Sequence, residues 1–132
     1  MKKSLKEGVG STRQIGVDEG RTIDFMGEAL RVYATPELVR DIEHACRDLL
    51  LEHLDEGEDS VGTRVEIDHT GATLLGMTVT VSVTIKSVAG RLVTFEATAA
   101  DNVEQIAKCT HTRFVVETSK LKERLQAKAA KA

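Results

Sequence analysis

The chain contains 132 residues, of which 41% are hydrophobic and 30% charged, as is typical of one globular domain. A net charge of -3 and an aromatic content of 3% argue against nucleic-acid binding, and no segment is long and apolar enough to span a membrane. Cys46 and Cys109 are far apart in sequence and indicate reduced thiols, so we expect a soluble cytoplasmic protein.

The first predicted element is a strand over residues 10–17, followed by a polar segment up to Tyr33 for which no regular structure is predicted. A long helix follows in ATPELVRDIEHACRDLLLEHLDEG, with Thr35 as predicted N-cap, Pro36 at the first helical position and Gly57 beyond its end. One face of this helix is apolar and contains Leu38, Ile42, Ala45, Cys46, Leu49 and His53.

Downstream of the helix, apolar and polar residues alternate, which predicts antiparallel strands. In the first of these strands we expect the inward side to carry Val61, Thr63, Val65, Ile67 and His69. A hairpin follows, with its turn at Gly90. Its inward residues are Met77, Val79, Val81, Val83 and Ile85 on one strand and Val93, Phe95, Ala97 and Ala99 on the other.

A last strand is predicted over roughly residues 103–117, and the tail at 118–132 is predicted as a frayed helix or disordered. The order of elements predicts an α+β fold in which one long helix packs against an antiparallel sheet of about five strands. We expect a single domain over residues 1–132, with its core at about 8–117. One sheet leaves edge strands exposed, which favours a homodimer.

Two ionisable side chains are predicted at the margins of apolar surfaces. His69 takes the place of an aliphatic residue on its strand, and Glu43 lies at the edge of the apolar stripe of the helix. A partly dehydrated carboxylate is costly unless it is paired, so we expect Glu43 to meet His69. The alternative is that Glu43 reaches water and that a backbone carbonyl satisfies His69. His111 and Arg113 share a strand face, and for them the alternative to a role in the site is that both side chains are simply solvated.

Three segments, ATPELVRDIEHAC, SVGTRVEIDHTGATLLGMTVTV and CTHTRFVV, resemble the fluoroacetyl-CoA thioesterase family of hot-dog-fold enzymes. The resemblance covers roughly residues 8–116. It is carried by VGT six residues ahead of HT, by the GMTVTV strand, and by a threonine eight residues before a helical glutamate. It implies a hot-dog fold, with a long helix wrapped by the sheet and a dimer whose active sites lie at the subunit interface.

The resemblance also implies the site residues. Thr35, Glu43 and His69 match the catalytic set, Gly62 matches a glycine whose amide can face the thioester carbonyl, and Arg113 matches an arginine near the site. The implied reaction is hydrolysis of a short acyl-CoA to free acid and CoA, with CoA as part of the substrate and no other cofactor. In our hypothesis the glutamate attacks the carbonyl or activates water, the histidine transfers protons, and the threonine and the glycine amide donate hydrogen bonds.

The acyl group and the CoA contacts are left unassigned. Enzymes of this family cover the acyl pocket with aromatic residues ahead of the catalytic threonine, where this chain offers only Phe25 and Tyr33. Candidate contacts for the CoA phosphates include Lys86, Arg91 and Lys108.

Two other functions stay open. The first is an acyl-thioester hydratase or dehydratase on the same fold. The second is a non-catalytic domain that binds acyl-CoA or another small ligand. The spacing of the four histidines predicts no metal site.

Overall fold

The computed structural model describes residues 1–132. Its main elements are β1 (Gly10–Gly16), α1 (Thr35–Leu51), β2 (Glu58–His69), β3 (Thr78–Ala89), β4 (Leu92–Ala100), β5 (Gln105–Glu117) and α2 (Thr118–Ala130). Two single 3-10 turns, Glu19–Arg21 and Glu28–Leu30, lie in the segment for which the sequence predicted no regular structure. No helix of the fold has the length and apolarity needed to cross a membrane.

Helix α1 begins one residue earlier than predicted. Ala34 occupies the N-cap position without a side-chain hydrogen bond, and Thr35 is already helical. The prediction of Thr35 as N-cap is therefore wrong, because its hydroxyl is engaged by another element. The apolar face of the helix is buried as predicted except at His53, which is partly exposed and bonded through Nδ1 to Ser4 Oγ at 2.8 Å.

The five strands form one antiparallel sheet in the order β1-β3-β4-β5-β2, with α1 packed against one face. The predicted α+β arrangement of one long helix and about five strands is confirmed. The predicted β3–β4 hairpin is also confirmed, with Gly90 in its turn at a φ of +61°. Its inward side chains form the centre of the core and are Val79, Val81, Val83, Ile85, Val93, Phe95, Ala97 and Ala99.

Strand β2 departs from its predicted facing. Gly62 pairs with Arg113 and Arg64 with Thr112, so Thr63 is an extra residue in a β-bulge. Directly opposed residues share a face, and the bulge therefore reverses the alternation at this point. Val61 lies opposite Phe114 on the face away from α1, whereas Val65 and His69 point to the side of α1.

The edge position of β2 explains its exposure. Strand β2 pairs only with β5, which leaves its other margin without a neighbour. Val61 and Val65 are 41% and 38% exposed. The predicted inward facing is wrong for Val61, whereas Val65 faces α1 as predicted but stays partly exposed at the sheet edge. At the end of the chain, α2 is a regular helix that contributes no buried residue.

Candidate active site

The start of α1 and the end of β2 bring a hydroxyl and an imidazole together. Thr35 Oγ1 and His69 Nδ1 are 2.8 Å apart and share a hydrogen bond. His69 Nε2 is buried and has no hydrogen-bond partner in the protein. Burial lowers the pKa of His69, which favours the neutral imidazole at physiological pH. A neutral imidazole with one uncommitted nitrogen is suited to proton transfer.

A carboxylate and a guanidinium meet further along the same contact between α1 and β2. Glu43 Oε2 lies 3.7 Å from Arg113 Nη1, and Glu43 is the only carboxylate within 4.0 Å of this guanidinium. Gly62 completes the group, since a Cβ there would lie 3.3 Å from Glu43 Oε2 and 3.2 Å from His111 Cε1. The backbone approaches the carboxylate closely because this position carries no side chain.

Arg113 is fixed on three sides and nearly inaccessible to solvent. Its Nε donates to Ser60 Oγ at 2.7 Å, its Nη2 to Ser60 O at 2.9 Å, and its Nη1 to His111 Nε2 at 3.1 Å. Burial lowers the pKa of Arg113, but a guanidinium remains a cation in proteins. The site therefore contains a rigid positive charge next to a carboxylate that is 38% exposed.

The structure brings the predicted site residues together in two groups. Thr35 contacts His69, whereas Glu43 contacts Arg113 and borders Gly62. The predicted pairing of Glu43 with His69 does not occur in the structure, because the two groups lie at different positions along the α1–β2 contact. Glu43 is 38% exposed and reaches water, as the alternative held, while it also lies beside Arg113.

The burial of His111 and Arg113 on β5 was not predicted from the sequence. Both His111 and Arg113 are buried, so the alternative that they are solvated is wrong. Ser60, which binds the guanidinium, was not singled out at all. A sequence signal was nevertheless present, because residues 107, 109, 111, 113 and 115 alternate onto one face whose other members are Ala, Cys and Val.

The two aromatic residues ahead of Thr35 have different environments. Tyr33 is only 2% exposed, and its hydroxyl donates to the Asp41 carboxylate, which also accepts from Arg21 Nε at 2.8 Å. Phe25, by contrast, is 77% exposed. Tyr33 is thus part of the core, and Phe25 covers nothing within the subunit.

The basic residues considered for CoA phosphates lie outside both groups. Arg91 lies 3.5 Å from Glu58 and 3.3 Å from Glu117, and it lines a cleft of about 470 Å³ between β5 and α2. Lys86 Nζ lies 3.3 Å from Glu96 Oε1. No three His, Cys, Asp or Glu side chains are arranged to hold a metal ion.

Known proteins are similar to this chain in both sequence and fold. Residues 17–119 match the sequence profile of the fluoroacetyl-CoA-specific thioesterases. The fluoroacetyl-CoA thioesterase of Streptantibioticus cattleyicolor is 32% identical over 135 residues, covering 97% of each protein. The chain belongs to the fluoroacetyl-CoA-specific thioesterase family. It is therefore an acyl-CoA thioesterase, which confirms the predicted family and activity.

Solved structures agree with this family assignment. A variant of the fluoroacetyl-CoA-specific thioesterase in complex with fluoroacetate and CoA matches with a TM-score of 0.82 and 33% identity, over 89% of this chain and 99% of that chain. A hot-dog-like protein from Thermanaerovibrio acidaminovorans matches with a TM-score of 0.86 and 27% identity, over 92% and 91% of the two chains. The predicted hot-dog fold is confirmed, and hydrolysis is favoured over the hydratase and the non-catalytic alternatives.

Proposed function

We propose that this thioesterase hydrolyses short acyl-CoA thioesters as a homodimer with composite active sites. Each site combines Thr35 and His69 of one subunit with Glu43, Gly62 and Arg113 of the partner subunit. The proposal rests on one observation, the separation of the Thr35–His69 pair from the Glu43–Arg113 pair within a subunit. CoA enters as part of the substrate, and the proposed reaction requires no other cofactor.

The helix itself keeps the two pairs apart. Thr35 and Glu43 are eight residues apart on α1, which corresponds to about 12 Å along the helix axis. Groups that act on one thioester carbonyl have to approach the reacting atoms to about 3 Å. Because His69 contacts Thr35 and not Glu43, one subunit does not bring hydroxyl, imidazole and carboxylate to one point. A second copy of the chain supplies the missing half of each site.

The exposed margin of β2 is the surface that a second copy would cover. An unpaired edge with partly exposed valines is a template for pairing with another strand. If two β2 strands pair antiparallel with Glu66 on the two-fold axis and with Thr63 bulged out of the ladder, His69 lies opposite Gly62 of the partner subunit. The same axis places the Thr35–His69 pair of each subunit next to Glu43 of the partner subunit.

The composite site contains the groups that thioester hydrolysis needs. Glu43 attacks the carbonyl carbon or activates the water that does so, and the Gly62 amide and the Arg113 cation stabilise the charge on the oxygen. Thr35 orients His69, whose neutral imidazole passes the proton that the attacking water loses on to the departing thiolate; in the covalent route the thiolate takes its proton from solvent. A pre-steady-state burst of free thiol would identify the covalent route, because only an acyl-enzyme releases CoA ahead of the acid.

The proposed substrates are short acyl-CoA thioesters, without strong preference for a fluorinated acyl group. Tyr33 is committed to Asp41 in the core, and Phe25 is exposed, so neither provides an aromatic cover for the acyl group within the subunit. We expect acetyl-CoA and fluoroacetyl-CoA to be hydrolysed with kcat/KM values within about tenfold of each other. We also place the reaction in the cytoplasm, in keeping with two buried free thiols.

Mixed dimers test the composite site. Differently tagged E43Q and H69N subunits are combined by co-expression, and the heterodimer is isolated by two affinity steps. In a composite arrangement one of its two sites contains only wild-type residues, so the heterodimer should recover about half of the wild-type thiol release from acetyl-CoA. An arrangement within one chain predicts two damaged sites and no recovery.

The matched control pairs E43Q with G62A, which alter the same half of the site. This heterodimer should not exceed about half of the activity of the G62A homodimer, because one of its sites carries G62A and the other carries E43Q. A monomeric mass by light scattering at micromolar concentration would refute the proposed dimer. A wild-type protein that releases no thiol from a panel of short acyl-CoA thioesters would refute the proposed substrate class.

A further inference from the structure

His111 is completely buried beside Gly62, and both of its ring nitrogens are engaged. Nδ1 lies 2.8 Å from the backbone carbonyl of Arg64, and Nε2 lies 3.1 Å from Arg113 Nη1. A guanidinium only donates hydrogen bonds, so Nε2 has to accept, and the ring proton has to be on Nδ1. Burial lowers the pKa of His111, which is consistent with the neutral ring. The neighbours of His111 therefore determine its tautomer.

The carbonyl that His111 holds belongs to the bulge of β2. Gly62 and His69 are seven residues apart, and in a regular strand they would point to opposite faces. The extra residue Thr63 reverses the alternation, so that both face α1. The hydrogen bond from His111 fixes the far side of this bulge at Arg64, and the Thr63 hydroxyl holds it to Thr112 O at 3.2 Å.

The imidazole is itself immobilised on its other sides. Its ring stacks on Phe95 with a centroid distance of 6.4 Å and an interplanar angle of 26°. A Cβ at Gly62 would lie 3.2 Å from its Cε1. His111 thus connects the guanidinium of Arg113 to the backbone that positions Gly62, and a change at the imidazole is transmitted to both.

We propose that His111 is a positioning residue of the thioesterase, whose Nδ1–H anchors the β2 bulge that turns Gly62 toward Glu43, while Arg113 fixes the required tautomer. The inference rests on the proposed role of Gly62 in binding the oxyanion. His111 does not touch the reacting atoms. It determines where the Gly62 backbone lies, and a misplacement of about 1 Å in such a group costs about 10²-fold in rate.

Two substitutions separate the contacts of the imidazole. In H111N the side-chain amide lies near the position of Nδ1 and can donate to the Arg64 carbonyl, but the acceptor for Arg113 is lost. In H111Q the side-chain oxygen reaches the position of Nε2 and can accept from Arg113, but the donor to Arg64 is lost. We expect H111N to keep kcat within about threefold of wild type and H111Q to lose about 10- to 100-fold in kcat, with KM within about threefold.

Equal kcat values for the two variants, or a larger loss in H111N, would overturn the inference if both variants melt near the wild-type temperature. A second measurement applies even if the variants fail to fold. Long-range ¹H–¹⁵N spectra of the wild-type protein at pH 7 should show His111 protonated on Nδ1 alone. A proton on Nε2, or an imidazolium, would overturn the proposed hydrogen-bond chain.

The spectra also separate this inference from the proposed function. If the wild-type protein released no thiol from any acyl-CoA, the proposed function would fail, but the tautomer of His111 would still be measurable. The backbone amide shifts of Gly62 and Thr63 would then replace kcat as the readout. They should stay near their wild-type values in H111N and move in H111Q, and the opposite pattern would refute the anchoring of the bulge.

Discussion

The two ends of the α1–β2 contact differ in charge and in burial. At the start of the helix, Thr35 and His69 form a hydrogen-bonded pair that carries no charge when the imidazole is neutral. Two turns further along, Glu43 and Arg113 are an ion pair whose cation is buried. One end can transfer protons but contains no carboxylate, and the other contains a carboxylate and a fixed cation but no proton carrier besides the fully bonded His111.

This division indicates what each end requires from the other. Stabilising negative charge needs a rigid, dehydrated cation, whereas a proton carrier needs an uncommitted nitrogen and a partner that orients the ring. Within one subunit these environments are separated by about 12 Å, so in the proposed arrangement the imidazole and the carboxylate meet only across the dimer interface. Variants at each end should therefore damage different steps of the reaction.

The largest decrease in kcat is expected from a substitution at the Glu43–Arg113 end. E43Q removes the proposed nucleophile or general base and should lower kcat by at least about 10³-fold in a thiol-release assay. Its melting temperature should change by only a few degrees, because this carboxylate is 38% exposed. E52Q, just beyond the end of the same helix at an exposed position, is the matched control and should retain wild-type kcat. Near-wild-type turnover in E43Q would refute the assignment of Glu43 as nucleophile or general base.

A smaller loss is expected when the close approach at Gly62 is blocked. In G62A the new Cβ would lie 3.3 Å from Glu43 Oε2 and 3.2 Å from His111 Cε1, so at least one of these groups has to shift. We expect kcat to fall by about 10- to 100-fold, with a modest loss of stability. The matched control is G16A on β1, where a Cβ meets nothing within 4 Å. If the two variants had the same kcat, the packing around Gly62 would have no catalytic importance.

The smallest decrease in kcat is expected at the Thr35–His69 end, when the Thr35 hydroxyl is removed. T35A removes the hydrogen-bond partner of His69 Nδ1 and leaves the imidazole in place, so we expect a decrease in kcat of about tenfold. T35S keeps the hydroxyl and should stay within about threefold of wild type. A T35S variant as slow as T35A would indicate that the methyl group, and not the hydroxyl, is what the site requires.

The sequence was sufficient for the parts of the fold that follow a regular period. The β3–β4 hairpin alternates without interruption between its ends, and its inward residues form the core as predicted. Helix α1 has a regular apolar stripe, whose predicted burial fails only at His53. Its N-cap was assigned wrongly because Thr35 fits both an N-cap pattern and a contact with His69. Local propensity does not distinguish these two uses of a hydroxyl.

The site was less predictable because it depends on a break in the period. Nothing in VGTRV distinguishes a bulge at Thr63 from a regular strand, yet this bulge brings Gly62 and His69 to one face. The exposure of Val61 and Val65 likewise follows from the place of β2 at the edge of the sheet, which is a property of the whole topology. The identity of the catalytic candidates came from resemblance, whereas their division into two groups required coordinates.

The smallest expected effect concerns stability and tests the burial of the two imidazoles. Burial lowers the pKa of His69 and of His111 in the folded chain, so between about pH 5 and 7 the unfolded chain binds more protons than the folded chain. The free energy of unfolding should therefore fall as the pH is lowered through this range, and urea denaturation at several pH values measures that fall. H111N lacks one of the titrating groups and should show a shallower pH dependence than wild type. An unchanged dependence in folded H111N would mean that His111 titrates alike in the folded and unfolded chains, contrary to its complete burial.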